Sequence, residues 1–294
     1  MNDNTVQSSL SPAQVESDVR RALDEDIGTG DLTASLIPAE RRAVATIICR
    51  EAAVVCGRPW VDEVLRQVSP TSTARWLIED GGRTTPGDKV VEITGPAREL
   101  LTAERVCLNF LQTLSAVATK TAKYVDAVQG SRAAILDTRK TIPGLRVAEK
   151  YAVRCGGGQN HRMGLYDAIL IKENHIAAAG GLTAALRAAQ ALAQTKPVSF
   201  IQVEVETLAQ LQEALDAGVA MVLLDNMALE TIREAVKLAA GRCSLEISGG
   251  VSFGQLGDYA ATGVDRISVG GLIKDIEAVD FSMRFADKPV ERAA

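Results

Sequence analysis

The sequence predicts an α/β protein in which a parallel βα barrel is joined to a smaller sheet-containing domain. Hydrophobic residues make up 47% of the 294 positions and aromatic residues only 4%, a balance that suits parallel strands covered by alanine-rich helices. In the second half of the chain, short apolar runs alternate with helical stretches, and nearly every apolar run ends in a polar residue or a glycine. Together these observations favour a barrel whose functional residues lie at the ends of its strands.

The chain before residue 130 contains two kinds of pattern. Ser11 precedes Pro12 as an N-cap before a proline at the first helical position, and this predicts a helix from Pro12 to Asp26. Between Ala43 and Pro96, short β-branched runs separated by Gly and Pro predict a compact sheet-bearing domain. Over residues 99–129, apolar positions recur every three or four residues, which predicts a helix leading into the second domain.

From residue 133 onward the chain repeats strand–helix units. The predicted strands are AAILD, AILIK, FIQVEVE, AMVLLD, CSLEIS and DRISVGG. Such a rhythm predicts a parallel sheet with right-handed crossovers, which either a doubly wound sheet or a barrel satisfies. No GxGxxG motif follows the first strand, which disfavours a dinucleotide-binding fold. The polar or glycine residues at the strand ends favour the barrel, because there they converge on one mouth; they are Asp137, Arg139, Lys172, Glu204, Asp225, Ser248 and Gly270.

Composition excludes several classes of function. The formal net charge of −5 and the pI of about 5.3 disfavour a general nucleic-acid-binding surface. The five cysteines form no CxxC pair, which is typical of reduced thiols and speaks against metal ligation by cysteine. No basic segment followed by an apolar stretch opens the chain, and no uncharged apolar run is long enough for a membrane span. A soluble cytoplasmic protein is expected.

The strongest local signal is a set of basic and histidine side chains. Its members are Arg105, Arg139, Lys140, His161, Arg162, Lys172 and His175. In an acidic protein, several cations beside strand ends predict a small polyanionic ligand, while the alternative is ordinary solvated surface charge. We expect His161, next to Arg162, to face the ligand as a donor, with a core position as the alternative. His175 can equally cap the alanine-rich helix that follows it.

Acidic residues and glycines complete the candidate site. Glu204 and Asp225 end neighbouring strands, so their carboxylates are expected side by side, where they can hold Mg²⁺ that bridges to substrate phosphates. The alternative is that these acids only balance nearby lysines. Glu206 ranks below Glu204 because it lies closer to the next helix and can serve there as a cap. The glycine-containing segments 248–250 and 268–271 predict phosphate-binding loops late in the barrel.

The chain resembles the quinolinate phosphoribosyltransferase family from about residue 12 to its end. The matching motifs are EDIGTGDLT, ERVCLNFLQTLSAVAT, DTRKTIPGLRVAEKYAVRCGGGQNHRMGLYDAILIKENHI, VEVE, LLDN, EISGG and GVDRISVGG. The resemblance implies an open-faced α/β sandwich at 12–118, joined by the C-terminal segment 276–294. It also implies an incomplete barrel at 119–275, with about six or seven strands rather than the eight of a complete barrel. The implied assembly is a homodimer, and assembly beyond the dimer stays open.

The activity implied by the resemblance is transfer of the phosphoribosyl group of 5-phosphoribosyl 1-diphosphate to quinolinate. The products are nicotinate mononucleotide, CO2 and pyrophosphate, made during NAD biosynthesis with Mg²⁺ as the cofactor. By motif position, the residues implied to bind quinolinate are Arg105, Arg139, His161, Arg162 and Lys172. Those implied to bind the sugar donor are Lys140, Glu204, Asp225, Ser248, Gly249, Gly250, Gly270 and Gly271. Thr138, Ser268 and Val269 are implied to bind substrate, without assignment to either one. The resemblance assigns catalysis to Lys140, Glu204 and Asp225, and the metal to Glu204 and Asp225.

Arg50 is the remaining predicted site residue. Taken alone, it is a charge at the end of a strand in the first domain; the resemblance implies that it reaches into the barrel of the partner subunit. Two other functions stay open. One is a related phosphoribosyltransferase for another pyridine carboxylate, or a molybdate-operon paralogue, and the other is a barrel that binds anions without catalysis.

Overall fold

The computed structural model describes residues 10–286, which fall into two units. Unit 1 comprises the described residues up to Ala122, the segment Thr141–Gly157 and the described residues from Ile273 onward. Unit 2 comprises Lys123–Lys140 and Gly158–Leu272. Of the predicted C-terminal segment 276–294, residues 287–294 lie outside the described residues.

Unit 1 combines four helices with an antiparallel sheet. Its helices are α1 (Pro12–Ile27), α2 (Arg58–Val68), α3 (Ala97–Ala127, whose last turns belong to unit 2) and α4 (Arg146–Cys155), and a 3-10 turn spans Ala34–Leu36. Its strands are β1 (Arg42–Cys49), β2 (Thr73–Trp76), β3 (Lys89–Pro96) and β10 (Phe281–Phe285), in the spatial order β10-β1-β3-β2. Residues of β1 alternate between buried and more exposed positions, the pattern of a sheet with one covered face.

The N-terminus of α2 is capped from a distant turn. Asp80 accepts hydrogen bonds at Oδ1 from the backbone N–H groups of Gly57 (3.0 Å) and Arg58 (3.1 Å), two donors that the helix itself cannot satisfy. Tyr151 donates to Asp80 Oδ2 at 2.8 Å. Burial raises the pKa of Asp80 to about 6 although these hydrogen bonds lower it. The thiols of Cys56 and Cys155 lie within 4.8 Å of this carboxylate and of each other, and burial raises the pKa of Cys56 well above its ordinary value.

The segment Thr141–Gly157 groups with unit 1, whereas the predicted boundary places it in the barrel domain. Tyr151 of α4 is buried, and its ring packs edge-on against Trp60 of α2 with the centroids 5.5 Å apart. The same side chain donates the hydrogen bond to Asp80. These contacts join α4 to unit 1 although its sequence continues the strand–helix rhythm of the barrel.

Unit 2 is an open barrel-like parallel sheet, which confirms the predicted fold class. Its strands are β4 (Ala134–Leu136), β5 (Ile169–Ile171), β6 (Ile201–Val205), β7 (Met221–Asp225), β8 (Ser244–Ser248) and β9 (Arg266–Ser268), in the order β4-β9-β8-β7-β6-β5. Its helices are α5 (Glu173–Ala179), α6 (Leu182–Ala193), α7 (Leu208–Asp216), α8 (Leu229–Ala239) and α9 (Leu256–Ala260), with a 3-10 turn at Phe253–Gln255; α10 (Gly271–Lys274) begins in unit 2 and ends in unit 1. All five strand pairs are parallel, so the carboxyl ends of the strands share one edge.

The strands of unit 2 are mostly buried, as expected of a parallel sheet covered by helices. Val203, Val222 and Leu224 are fully buried, and Leu245 and Ile247 are nearly so. Within the described chain, no single helix is long and apolar enough to cross a membrane. Taken together, α5 and α6, which are bent by 92° at the break between them, have the length and apolar composition of a membrane-spanning segment.

Candidate active site

A cleft of about 510 Å³ opens at the carboxyl ends of the strands of unit 2. Residues in the last positions of β5 to β9, or in the loops that follow the strands of the sheet, line it. They are Thr138, Arg139, Lys140, His161, Arg162, Leu170, Lys172, Glu204, Leu223, Asp225, Asn226, Ser248, Gly249, Gly250, Val251, Ser268 and Gly270. Thirteen of these are among the residues that the sequence and the resemblance singled out, and they include six of the seven strand-end residues, all except Asp137.

The loop after β4 is fixed from beneath by a buried carboxylate. Asp137 is fully buried and accepts hydrogen bonds from the backbone N–H of His161 (2.8 Å) and from Asn160 Nδ2 (2.6 Å). One residue further on, Thr138 Oγ1 accepts from the backbone N–H of Lys140 at 3.0 Å, a local turn that orders the next residues. Arg139 and Lys140 are therefore held at the cleft as exposed cations.

Two guanidinium groups lie close enough in the cleft to affect each other. Burial lowers the pKa of Arg162, and the charge of Arg139 lowers it further, while Asp167 acts in the opposite sense. A pair of like charges in a partly buried site is destabilising by itself. An anion that bridges the two guanidinium groups would relieve that repulsion and accept several charge-assisted hydrogen bonds.

His161 lines the cleft, but its ring nitrogens point into the protein. The side chain is 8% exposed and its ring meets Phe200 edge-on, with the centroids 5.4 Å apart. Nδ1 accepts the backbone N–H of Arg162 at 2.8 Å, and Nε2 lies 3.0 Å from Gln202 Oε1. The expectation of a ligand-facing donor is thus not what the geometry presents. The ring instead holds the backbone at His161 and Arg162, and neither ring nitrogen is directed at the cleft.

Lys172 and Glu204, which both line the cleft, form an ion pair. Lys172 Nζ lies 2.9 Å from Glu204 Oε2, and the glutamate side chain is only 10% exposed. The backbone N–H of Lys172 donates to His175 Nδ1 at 3.0 Å, so His175 caps α5 and lies outside the cleft lining. His175 thus takes part in capping a helix, but the helix is α5, in whose first turn it lies, rather than one that follows it.

Glu204 and Asp225 face the same cleft, but they are not level with each other. The register of β6 and β7 pairs Glu204 with Leu223, which puts Asp225 two residues further toward the mouth. Glu204 is partly buried and paired with Lys172, whereas Asp225 lies at the end of its strand. The two acids therefore differ in depth and environment, a difference that their identical strand-end positions did not predict.

Asn226 is a residue of the cleft that the sequence argument gave no role. It adopts a positive φ of 50°, donates from Nδ2 to Asp225 Oδ2 (2.9 Å), and its backbone N–H donates to the Ser248 carbonyl (3.1 Å). Asparagine tolerates this left-handed conformation better than most residues. The Asp-Asn pair in the LLDN motif was the available signal. Three apolar lining residues, Leu170, Leu223 and Val251, had no signal beyond their place in strands or loops.

The late glycines make room for neighbouring side chains. A Cβ on Gly249 would lie 2.2 Å from Asn226 Oδ1, and a Cβ on Gly270 would lie 2.9 Å from Lys140 Cδ. A side chain at position 249 would therefore displace Asn226, whereas one at position 270 would require only a shift of the flexible Lys140 side chain. Ser268 and Gly270 line the cleft, while Val269 is buried and Gly271 begins α10, so neither of these two belongs to the lining.

Arg50 and Arg105 belong to unit 1. Arg50 is exposed after β1, and its Nε donates to Ser282 Oγ at 3.0 Å, within the same unit. Arg105 is an exposed residue of α3. The roles that the resemblance implies for these two arginines stay predictions.

The donor set of the cleft suits a hard divalent cation. Asp225 offers carboxylate oxygens at the mouth, and Glu204 lies deeper beside it, while no thiol or free imidazole nitrogen lines this cleft. Mg²⁺ prefers oxygen ligands and usually takes only one or two carboxylates, completing its shell with water and substrate phosphates. The residues present therefore fit Mg²⁺ at Asp225, with Glu204 able to join if Lys172 moves from it.

An incomplete parallel barrel with cations, acids and glycine loops at its strand ends defines a class of anion-binding α/β protein. The family model "Quinolinate phosphoribosyl transferase, C-terminal domain" matches residues 117–284, and the corresponding N-terminal model matches residues 31–115. The chain belongs to the quinolinate phosphoribosyltransferase family.

Relatives cover nearly the whole chain. A Bacillus subtilis protein named probable nicotinate-nucleotide pyrophosphorylase (carboxylating) is 41% identical over 88% of this chain and 89% of its own length. A Mycobacterium leprae protein named nicotinate-nucleotide pyrophosphorylase (carboxylating) is 42% identical over 90% of this chain and 95% of its own. The solved structure of the nicotinate-nucleotide pyrophosphorylase from Francisella tularensis, 42% identical, superposes with a TM-score of 0.89 over 95% of this chain and 98% of that one.

Proposed function

We propose that this protein transfers the phosphoribosyl group of 5-phosphoribosyl 1-diphosphate to quinolinate, releasing CO2 and pyrophosphate and forming nicotinate mononucleotide. Membership of the family sets the class of reaction. The single observation that carries the assignment is the cleft itself, where Arg139 and Arg162 converge beside Lys172. An acceptor with two adjacent carboxylates suits this density of cations better than one with a single carboxylate.

Residues at one end of the cleft would bind quinolinate. Arg139 and Arg162 present planar guanidinium groups, which bind carboxylates through two parallel hydrogen bonds. Thr138 and Lys172 flank them, and His161 holds the backbone of Arg162 in place. The dianion would separate the two like charges of the arginines, so substrate binding offsets a repulsion present in the free protein.

Residues at the other end would bind the sugar donor. Lys140 would contact the diphosphate as a point charge, and Asp225 would hold ribose hydroxyls and Mg²⁺. The backbone of Ser248–Gly250, with Ser268 and Gly270, would take the 5-phosphate, as glycine loops late in a barrel do. When bound, Mg²⁺ supplies positive charge that makes the diphosphate a better leaving group.

The reaction needs positioning and charge stabilisation rather than a side-chain nucleophile. The ring nitrogen of quinolinate forms a bond to the anomeric carbon as the bond from that carbon to the diphosphate oxygen breaks, and pyrophosphate leaves with the electron pair. Lys140 would stabilise the charge developing on that oxygen. The ring nitrogen is then positively charged, so the electron pair released when the 2-carboxylate departs as CO2 is stabilised in the ring, and C2 takes up a proton from water.

A homodimer is part of the proposal. In it, Arg50 of the partner subunit would add positive charge to each cleft, and a closed two-fold assembly would make that sharing reciprocal. The expected compartment is the cytoplasm.

Pyrophosphate release tests the proposal. With purified protein, release should require quinolinate, 5-phosphoribosyl 1-diphosphate and Mg²⁺ together, and nicotinate mononucleotide should accumulate in equal amount. Binding of both substrates without any pyrophosphate release would instead support a non-catalytic anion-binding protein. Faster release with another pyridine carboxylate would support the related transferase.

A further inference from the structure

A chain of buried polar side chains runs beneath the cleft, through three strands of unit 2. Arg266 of β9 donates from Nε to Glu246 Oε2 of β8 at 3.0 Å, and Gln202 Nε2 of β6 donates to the same oxygen at 3.1 Å. Gln202 Oε1 lies 3.0 Å from His161 Nε2. Glu246 and Gln202 are fully buried, and neither lines the cleft. Their burial in the barrel interior therefore calls for an explanation beyond contact with a ligand.

The hydrogen bonds of this chain can run in only one direction. Glu246 Oε2 already accepts from Arg266, so the Gln202 amide turns its NH2 group toward Glu246 and its carbonyl toward His161. The backbone N–H of Arg162 donates to His161 Nδ1 at 2.8 Å, so Nδ1 carries no proton. The proton of the neutral ring must then be on Nε2, where it is donated to Gln202 Oε1. Both ends of the chain thus require the same orientation of Gln202 and the same tautomer of His161.

The reverse orientation would lose hydrogen bonds on both sides of Gln202. A flipped amide would present its carbonyl to the Glu246 carboxylate and its NH2 group to the His161 Nε2–H. Leaving such groups unsatisfied in a buried site is costly, and here two contacts would fail together. Glu246 Oε1 has no hydrogen-bond partner among the described residues and lies 3.5 Å from His161 Nε2, so a second acceptor oxygen also favours a proton at that position.

We propose that Arg266, Glu246 and Gln202 are positioning residues that fix His161 in the Nε2–H form and so anchor the backbone of Arg162. The His161 backbone N–H is held separately by Asp137, at 2.8 Å. With both peptide groups fixed, the Arg162 guanidinium stays in the cleft against the repulsion from Arg139. That the ligand so positioned is quinolinate rests on the proposed function; the state of His161 does not.

The histidine content allows a direct test by NMR. The protein has only two histidines, and they differ in environment: the His161 side chain is 8% exposed, whereas His175 is exposed on α5. In protein labelled with 15N-histidine, we expect one slowly exchanging imidazole N–H, from Nε2 of His161, and its retention in the control variant His175→Ala. An Nδ1–H tautomer, a doubly protonated ring, or an N–H of His161 that exchanges rapidly with water would overturn the proposal in the wild-type protein itself.

The variant Gln202→Leu tests the connection to the cleft. It should lose the protected N–H and raise the KM for quinolinate about tenfold, the effect of roughly one lost hydrogen bond. The KM for the sugar donor should change little, because that end of the cleft does not contact His161. Equal changes in both KM values, or an unchanged quinolinate KM in a folded variant, would contradict the positioning role. If the wild-type protein does not turn over quinolinate, the proposed function fails, while the NMR result still decides the state of His161.

If Gln202→Leu does not fold, Glu246→Gln provides a second variant. It keeps the shape of the side chain but removes the fixed direction at Glu246, so Gln202 can adopt either orientation. We expect faster exchange of the His161 N–H and a smaller rise in the quinolinate KM. A His161 N–H as protected as in the wild type would show that Glu246 does not set the orientation.

Discussion

The two neighbouring glycines after β8 provide a matched pair of perturbations. Gly249 and Gly250 both have positive φ, +93° and +58°, so alanine at either position adopts a conformation that costs about 1–2 kcal/mol. The two positions differ in their surroundings. A Cβ on Gly250 meets no atom within 4 Å, whereas one on Gly249 would lie 2.2 Å from Asn226 Oδ1 and 3.1 Å from the Asn226 backbone nitrogen.

The clash at Gly249 extends to Asp225. To make room, the Asn226 side chain must move, which breaks its 2.9 Å hydrogen bond to Asp225 Oδ2 and costs about 1 kcal/mol more. We therefore expect Gly250→Ala to lower the free energy of unfolding by about 1–2 kcal/mol and Gly249→Ala by about 2–3 kcal/mol. Because Asp225 loses a partner, Gly249→Ala should also weaken binding of the sugar donor more than Gly250→Ala does.

Equilibrium unfolding in denaturant measures the loss of stability, and the KM for 5-phosphoribosyl 1-diphosphate measures the weakening of donor binding. The KM for quinolinate serves as the internal control, because the clash lies at the donor end of the cleft. Equal losses of stability and equal donor KM values in the two variants would refute the argument that Gly249 makes room for Asn226.

Three further predictions concern the acids and the assembly. Asp225→Ala should abolish turnover and weaken donor binding measured by calorimetry, while quinolinate binding stays largely intact. Normal donor affinity in this variant would show that Asp225 only balances the charge of nearby lysines. The folded-state pKa of Asp80 is about 6, above its ordinary 3.8, so its contribution to stability is present below about pH 4 and lost as the pH rises through 6. Asp80→Asn keeps the helix-capping oxygen but does not titrate, so its free energy of unfolding relative to that of the wild type should rise by up to about 3 kcal/mol as the pH goes from 4 to 8. Stability curves that stay parallel over this pH range would contradict the prediction. Arg50→Ala and Lys140→Ala homodimers should each be nearly inactive, whereas their heterodimer should recover about half of the wild-type activity from its one intact site; no recovery in verified heterodimers would reject a shared site.

The alternation of apolar runs and helices was enough to predict the parallel sheet, because burial on both faces leaves an uninterrupted apolar signal. The strand-end rule then placed Arg139, Lys172 and Asp225 at one edge without any knowledge of how the strands pair. It could not set their relative depth. That Glu204 is level with Leu223 follows from the register of β6 and β7, which depends on packing between segments distant in sequence.

Other features depend on contacts that leave no periodic signal. The helical pattern of α4 is compatible with either unit, and the contact of Tyr151 with Trp60 decides the matter. His161 stands beside Arg162 in a glycine-rich motif typical of a ligand loop, yet its ring turns toward Gln202, a residue within an apolar strand run. The sequence thus identifies which residues meet at the cleft more readily than it identifies where each side chain points.

The proposed reaction couples phosphoribosyl transfer to loss of a carboxylate in one cleft. Quinolinate labelled with 13C or 14C in its 2-carboxyl group allows labelled CO2 to be compared directly with released pyrophosphate. We expect one CO2 for each pyrophosphate, and little pyrophosphate release when nicotinate replaces quinolinate, because one carboxylate-binding cation then lacks its partner. Pyrophosphate release without labelled CO2, or equal turnover of the two acids, would contradict it.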